Sequence, residues 1–157
     1  MPSITPHLWF DTQAEEAAKF YVSIFENSRI TGVSHYTEAG PMPAGTVLTV
    51  TFELDGQRFV ALNGGPEFKF NPSISLMVHC DSQNEIDRFW KTLTDGGKED
   101  MCGWLTDKYG LSWQIVPSIL DDLMLNSTPE QANRVMGAIF DMKKLDIARL
   151  KEAYAQG

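Results

Sequence analysis

Cysteine, histidine and basic residues are all scarce in this chain. Two cysteines, Cys80 and Cys102, and three histidines occur among 157 residues. Two thiols make no disulfide framework, and no C-x-x-C or H-x-x-x-H spacing offers a ready metal cage. Lysine and arginine number 13 against 21 acidic residues, a formal charge of -8. The net basic face that non-specific nucleic-acid binding needs is therefore not expected, and an anionic membrane is an equally poor partner. No apolar run approaches the roughly 20 residues of a membrane-spanning helix. The opening residues, Met1-Pro2-Ser3-Ile4-Thr5-Pro6, show neither a basic n-region nor an apolar h-region, which sets the expectation of a cytoplasmic chain with reduced thiols. No G-x-G-x-x-G follows a strand and opens a helix, and no low-complexity segment or domain linker is evident. The remainder is ordinary, 43% hydrophobic and 22% charged, as expected of one globular domain over residues 1–157.

Inside that length lies a repeat. Ser3-Ile4-Thr5 recurs as Ser73-Ile74-Ser75, Asp11-Thr12-Gln13 as Asp81-Ser82-Gln83, Glu15 as Glu85, and Phe20 as Trp90, all at one offset of 70. Each copy reads as a strand followed by a capped helix. Thr12 with Glu15, and Ser82 with Glu85, form S/T-x-x-E capping boxes, in which the hydroxyl accepts an early helical N–H and the carboxylate reaches back. Ala14, Ala17, Ala18, Tyr21, Ile24 and Phe25 give the first helix one apolar face; Ile86, Phe89, Trp90 and Leu93 give the second its own, with Gly96-Gly97 ending it.

After the first helix, Leu48, Val50, Phe52 and Leu54 alternate with Thr49, Thr51 and Glu53. Asp55-Gly56 then predicts a two-residue hairpin, whose register sets Phe52 opposite Phe59 and Val50 opposite Ala61, with Asn63 on the same face. In the second copy, Trp104-Leu105-Thr106 leads through the turn Asp107-Lys108-Tyr109-Gly110 to a strand over 111–116. Each half thus reads β-α-β-β(-β), with modules over 1–66 and 67–117. Residues 118–157 form a helical extension: a short helix around Leu120, Leu123 and Met124, a helix opened by the capping box Thr128-Pro129-Glu130-Gln131, and a last helix around Leu145, Ala148, Leu150 and Tyr154. Asn126-Ser127-Thr128 matches a glycosylation sequon but reads as a helix start.

The duplicated β-α-β-β-β pattern resembles the vicinal-oxygen-chelate superfamily, which includes glyoxalase I, extradiol dioxygenases and bleomycin-resistance proteins. Thr5-Pro6-His7-Leu8-Trp9-Phe10-Asp11, Leu62-Asn63-Gly64-Gly65-Pro66, Cys102-Gly103-Trp104-Leu105 and Trp113-Gln114 look like the PhnB-like branch, which carries the label 3-demethylubiquinone-9 3-methyltransferase. The resemblance implies an α+β fold, with duplicated βαβββ modules forming a curved, mixed or antiparallel sheet, and commonly a homodimer. Metal-dependent members of the superfamily place one ligand on each of four strands. Here those places fall near Thr5 (with His7 two residues on), Ala61 (with Asn63 beyond), Ser75 (with His79 further along) and Gln114. Alanine and serine offer little to a divalent ion, and none of the four is Asp or Glu.

The expected function is therefore a small organic molecule bound in a pocket that holds no metal or other cofactor, with the reaction left open. The alternatives are the methyltransferase of the family label and a metal-dependent lyase, isomerase or dioxygenase. The candidate ligand-binding residues are His7, Trp9, Asn63, Cys102, Trp104, Trp113 and Gln114. His7 carries an imidazole, a side chain that can act as a proton donor or acceptor toward a ligand. Asn63 stands where a strand opens into Gly64-Gly65-Pro66, and its amide can donate and accept, either to a ligand or to its own turn. Cys102 lacks a basic neighbour that would activate it and reads more naturally as a small buried hydrophobe. His79 and Cys80 are adjacent on a strand and face opposite sides, so they form no catalytic pair. Trp9, Trp104 and Trp113, with Phe52 and Phe59, could wall an apolar pocket in which Gln114 is a polar contact; individually each also fits a plain core.

Overall fold

The computed structural model describes residues 2–156. The chain divides into two compact units, Met1–Phe70 and Asn71–Gly157, each built on one four-stranded mixed sheet.

The first unit runs β1 (His7–Phe10), α1 (Ala14–Ile24), β2 (Arg29–His35), β3 (Val47–Leu54) and β4 (Gln57–Asn63), in the sheet order β1-β4-β3-β2. β1 runs parallel to β4; the other pairs are antiparallel. The first strand begins at His7, so Ser3-Ile4-Thr5 precede it rather than form it. The hairpin has the expected register, Phe52 opposite Phe59 and Val50 opposite Ala61. Its turn residues Asp55 and Gly56 both have positive φ, 49° and 78°, as a type I′ turn requires. The alternating apolar positions Val50, Phe52, Leu54, Phe59 and Ala61 are buried with Leu8 and Phe10. Over them lies α1, with Ala14, Ala17, Ala18 and Tyr21 buried and Tyr21 stacked on Phe52 at 6.4 Å between ring centroids.

The second unit repeats the plan as β5 (Ser75–Cys80), α2 (Gln83–Thr94), β6 (Lys98–Glu99), β7 (Trp104–Thr106) and β8 (Ser112–Pro117), in the order β5-β8-β7-β6. Here the hydroxyl half of the capping box forms: the Ser82 hydroxyl accepts the Glu85 N–H at 3.2 Å, while the Glu85 carboxylate accepts the N–H of Asp81, one residue before the cap, at 3.0 Å. Ile86, Phe89, Trp90 and Leu93 are the buried face of α2.

The expected box at Thr12 does not form. The residue before α1 is Gln13, without a side-chain cap, and the first helical N–H, that of Ala14, is accepted by Asn63 Oδ1 at 2.8 Å. An amide from the end of β4 thus takes the place that a local hydroxyl takes in the second module.

The extension comprises α3 (Leu120–Leu125), α4 (Pro129–Phe140) and α5 (Ile147–Ala155), with Thr128 as the N-cap of α4 in a full capping box. Val135, Met142, Leu145 and Leu150 form its core around Val116 at the end of β8. Gln83 on α2 clamps the extension, donating to Leu145 O and accepting from Ile147 N at 3.1 and 2.8 Å. Lys144 reaches Asp87 at 2.8 Å, and the hydrogen bonds from Lys144 and Gln83 lower the Asp87 pKa from its usual carboxylate value. No helix among the described residues is long and apolar enough to cross a membrane.

Candidate functional site

Strand alternation divides each sheet into a face under its helix and an open face. In the second unit, Leu76, Trp113 and Leu105 align across β5, β8 and β7, as do Met77, Gln114 and Trp104. The first row lies under α2. Trp113 is 2% exposed, and its indole donates to Asp107 Oδ2 at 2.9 Å. Trp113 therefore cannot wall a pocket with its neighbour Gln114, and it is a core residue. The same geometry removes Phe52 and Phe59, stacked on each other beneath α1, from any shared aromatic wall with Trp9.

What remains on the open face of the second sheet is compact. Gln114 donates to Ser75 Oγ at 2.9 Å, between the half-buried Trp104 on one side and Met77, 47% exposed, on the other. Among the described residues, that single bond leaves the Gln114 carbonyl oxygen and one amide N–H uncommitted. Met77 is an additional site candidate, absent from the set expected from sequence, and its alternation with the buried Cys80 marks it as open-face.

The open face of the first sheet carries His7, which is exposed, and Trp9, half-buried. The Trp9 indole donates to Gly65 O at 2.9 Å and meets Phe68 edge-on at 5.0 Å. Gly64 lies flat against it: a Cβ there would sit 2.4 Å from the ring, so only glycine allows this approach. Asn63 is committed on both ends of its amide, accepting from Ala14 N and donating to Val47 O at 3.1 Å. It clips three segments of the module together, which leaves it poorly placed to address a ligand.

Neither cysteine is in a disulfide. Burial, assisted by Glu85 and Asp81, pushes the Cys80 thiol up to about 12, so it stays neutral at physiological pH. Its neighbour His79 is exposed on the opposite face. Cys102 sits in a left-handed conformation, φ 65°, and its N–H donates to Met142 O at 2.7 Å; the residue serves the junction with the extension.

The residues do not fit a catalytic metal of the superfamily's usual kind. Ala61 is fully buried on the helix side, Gln114 and Ser75 are engaged with each other, and no three His, Cys, Asp or Glu side chains gather to hold an ion among the described residues. They do not fit S-adenosylmethionine as a glycine-rich strand-to-helix turn would hold it either. The turn from β1 into α1 is Asp11-Thr12-Gln13, without glycine, and the leading N–H of α1 is already taken by Asn63.

Residues 2–116 match the family model described as 3-demethylubiquinone-9 3-methyltransferase. A PhnB protein from Bacillus cereus, described under that same activity, is 40% identical, with a TM-score of 0.68 over 74% of this chain and 99% of its own. The protein PA1353 of Pseudomonas aeruginosa superposes with a TM-score of 0.62 at 20% identity, over 74% and 98% of the two chains. The fosfomycin resistance protein FosX of Mesorhizobium loti superposes with a TM-score of 0.52 at 12% identity, over 73% and 89%; these last two likenesses concern the fold. No curated protein matches the chain. Sharing its fold with the fosfomycin resistance protein, the chain belongs to the 3-demethylubiquinone-9 3-methyltransferase family, the PhnB-like group.

Proposed function

We propose that this protein binds a small organic molecule through an uncharged polar and aromatic surface, without a metal or S-adenosylmethionine, and that the open face around Gln114 is where it does so. The supporting observation is the half-committed amide of Gln114 beside Trp104 and Met77. A partly apolar surface with a few aimed polar groups is the usual make-up of a small-molecule site. An amide with one donor and one acceptor still available gives a ligand both partners at once.

In a thermal-shift screen of small metabolites and antibiotics, at least one compound is expected to protect the wild type and to bind Gln114→Ala or Trp104→Ala at least about tenfold more weakly, the value of one good contact. Equal protection of wild type and both variants would place binding elsewhere. Stoichiometric zinc, iron or nickel in the purified protein would overturn the metal-free reading, and tight saturable binding of S-adenosylmethionine in calorimetry would restore the methyltransferase.

The same proposal includes a cytoplasmic homodimer. Ile4 and Ile74, 93% and 70% exposed, stand at equivalent places just before β1 and β5, and two matched apolar side chains suit a twofold contact. Sedimentation equilibrium is expected to return twice the 17.6 kDa chain mass, falling toward the monomer in a double Ile4→Lys, Ile74→Lys variant; a monomeric wild type contradicts it.

A further inference from the structure

The helical extension carries a groove of its own, about 330 Å³, between α4 and α5. It lies outside residues 2–116, the part shared with the family. Its lining combines the small residues Gly137, Ala138 and Ala153 with charges of both signs, Arg134, Arg149, Asp141 and Glu152. Arg134 is tied down, donating to Ala153 O at 2.8 Å and Tyr154 O at 3.2 Å. The side chains of Arg149, Asp141 and Glu152 have no hydrogen-bond or ion-pair partner among the described residues, although they border one groove. Opposite charges three residues apart on a helix, such as Arg149 and Glu152, are close enough to pair; here they do not, and both remain available to a ligand.

Gly137 is a second, independent observation. Glycine inside a helix costs about 1 kcal/mol relative to alanine. A Cβ built at Gly137 meets nothing within 4 Å, so neither close packing nor a left-handed backbone calls for it. What the missing side chain does accomplish is to keep the groove open.

We propose that this groove binds a small zwitterion, a free α-amino acid. Asp141 is the C-cap of α4, where the helix dipole adds partial negative charge. An ammonium group is favoured there, with Glu152 beside it, while the Arg149 guanidinium takes the carboxylate in a charge-assisted contact. The side chain of the amino acid lies over Gly137, Ala138 and Ala153. The size matches the low end of ligand pockets.

Calorimetry of the full chain against the twenty free L-α-amino acids tests this, with the N-acetyl derivatives and the amides as probes lacking one charge each. At least one amino acid is expected to bind saturably. Its acetylated and amidated forms should bind about tenfold more weakly or worse, one charge-assisted contact being lost. Arg149→Ala should lose a similar factor. Gly137→Leu fills the groove while favouring the helix, so it should abolish binding with circular dichroism unchanged and thermal stability kept or raised. Absence of binding to wild type at about 10 mM, far above any functional affinity, would overturn the proposal. So would equal binding by wild type and Gly137→Leu, or equal binding of the blocked derivatives.

Discussion

Asp107→Ala is expected to destabilise the second module by about 4 kcal/mol, the largest single effect among the polar residues of this protein. Asp107 is 2% exposed, and every identified partner of its carboxylate is an N–H donor. Oδ1 accepts from Tyr109 N at 2.8 Å and from Leu111 N at 3.1 Å, closing the turn between β7 and β8. Oδ2 accepts from the buried indole of Trp113 at 2.9 Å. Truncation strands three donors, Leu111 N and the Trp113 indole in buried bonds and Tyr109 N in a part-buried one, and each buried orphan costs about 1–3 kcal/mol. Asp107→Asn should fall between, because the amide keeps an acceptor for the turn but turns an N–H toward an N–H. In a Trp113→Phe background, where the indole donor is gone, Asp107→Asn should cost clearly less than in wild type, which isolates the side-chain pair. Urea unfolding followed by tryptophan fluorescence reads this, since Trp90, Trp104 and Trp113 all belong to the second module. A loss below about 1 kcal/mol for Asp107→Ala would mean that the carboxylate is no more than a surface group.

Trp113 also shows what sequence could reveal and where it stopped. The turn around Asp107 and Gly110 is legible because its signals are local: an Asx residue at the first position and a glycine at the fourth, here with φ 89°. The hairpin at Asp55-Gly56 is legible for the same reason, and strand alternation carries its register to the far end. The sheet face of a lone tryptophan is less legible, because a pocket wall and a core plug share one composition. The alternation from Trp113 to Gln114 contains the answer once the strand is placed, and it argues against counting both in one pocket. β2 is hidden for a different reason: six of its seven residues are exposed, so no apolar period marks it. The first helix start is the sharpest case. Thr12 and Glu15 satisfy the capping-box pattern as well as Ser82 and Glu85 do, yet only the second pair caps. The competing cap comes from Asn63, 49 residues from Ala14, and no local pattern reports a partner at that distance.

Asn63→Ala should consequently be a stability variant, losing about 2 kcal/mol from the first module. Losing a helix cap costs about 1 kcal/mol, and losing the bond to Val47 O about 1 more. The two losses fall on different elements, the start of α1 and the start of β3, with β4 joining them. Hydrogen exchange should therefore rise at Ala14 and at the N-terminal end of α1, while α2, whose cap is Ser82, stays protected. Asn63→Asp separates the two contributions. Its carboxylate still accepts from Ala14 N and adds charge that the helix N-terminus favours, but it cannot donate to Val47 O and repels that carbonyl. It should recover the protection of α1 without restoring the full stability of the hairpin. The backbone carbonyl of Asn63 accepts from the Tyr36 hydroxyl, and that bond survives both substitutions, so the strand end should stay in place. If Asn63→Ala instead left stability and exchange unchanged while abolishing protection by a bound compound, the amide would be serving a ligand rather than the fold. The geometry argues the opposite, because both ends of that side chain are already spent on the backbone of its own module.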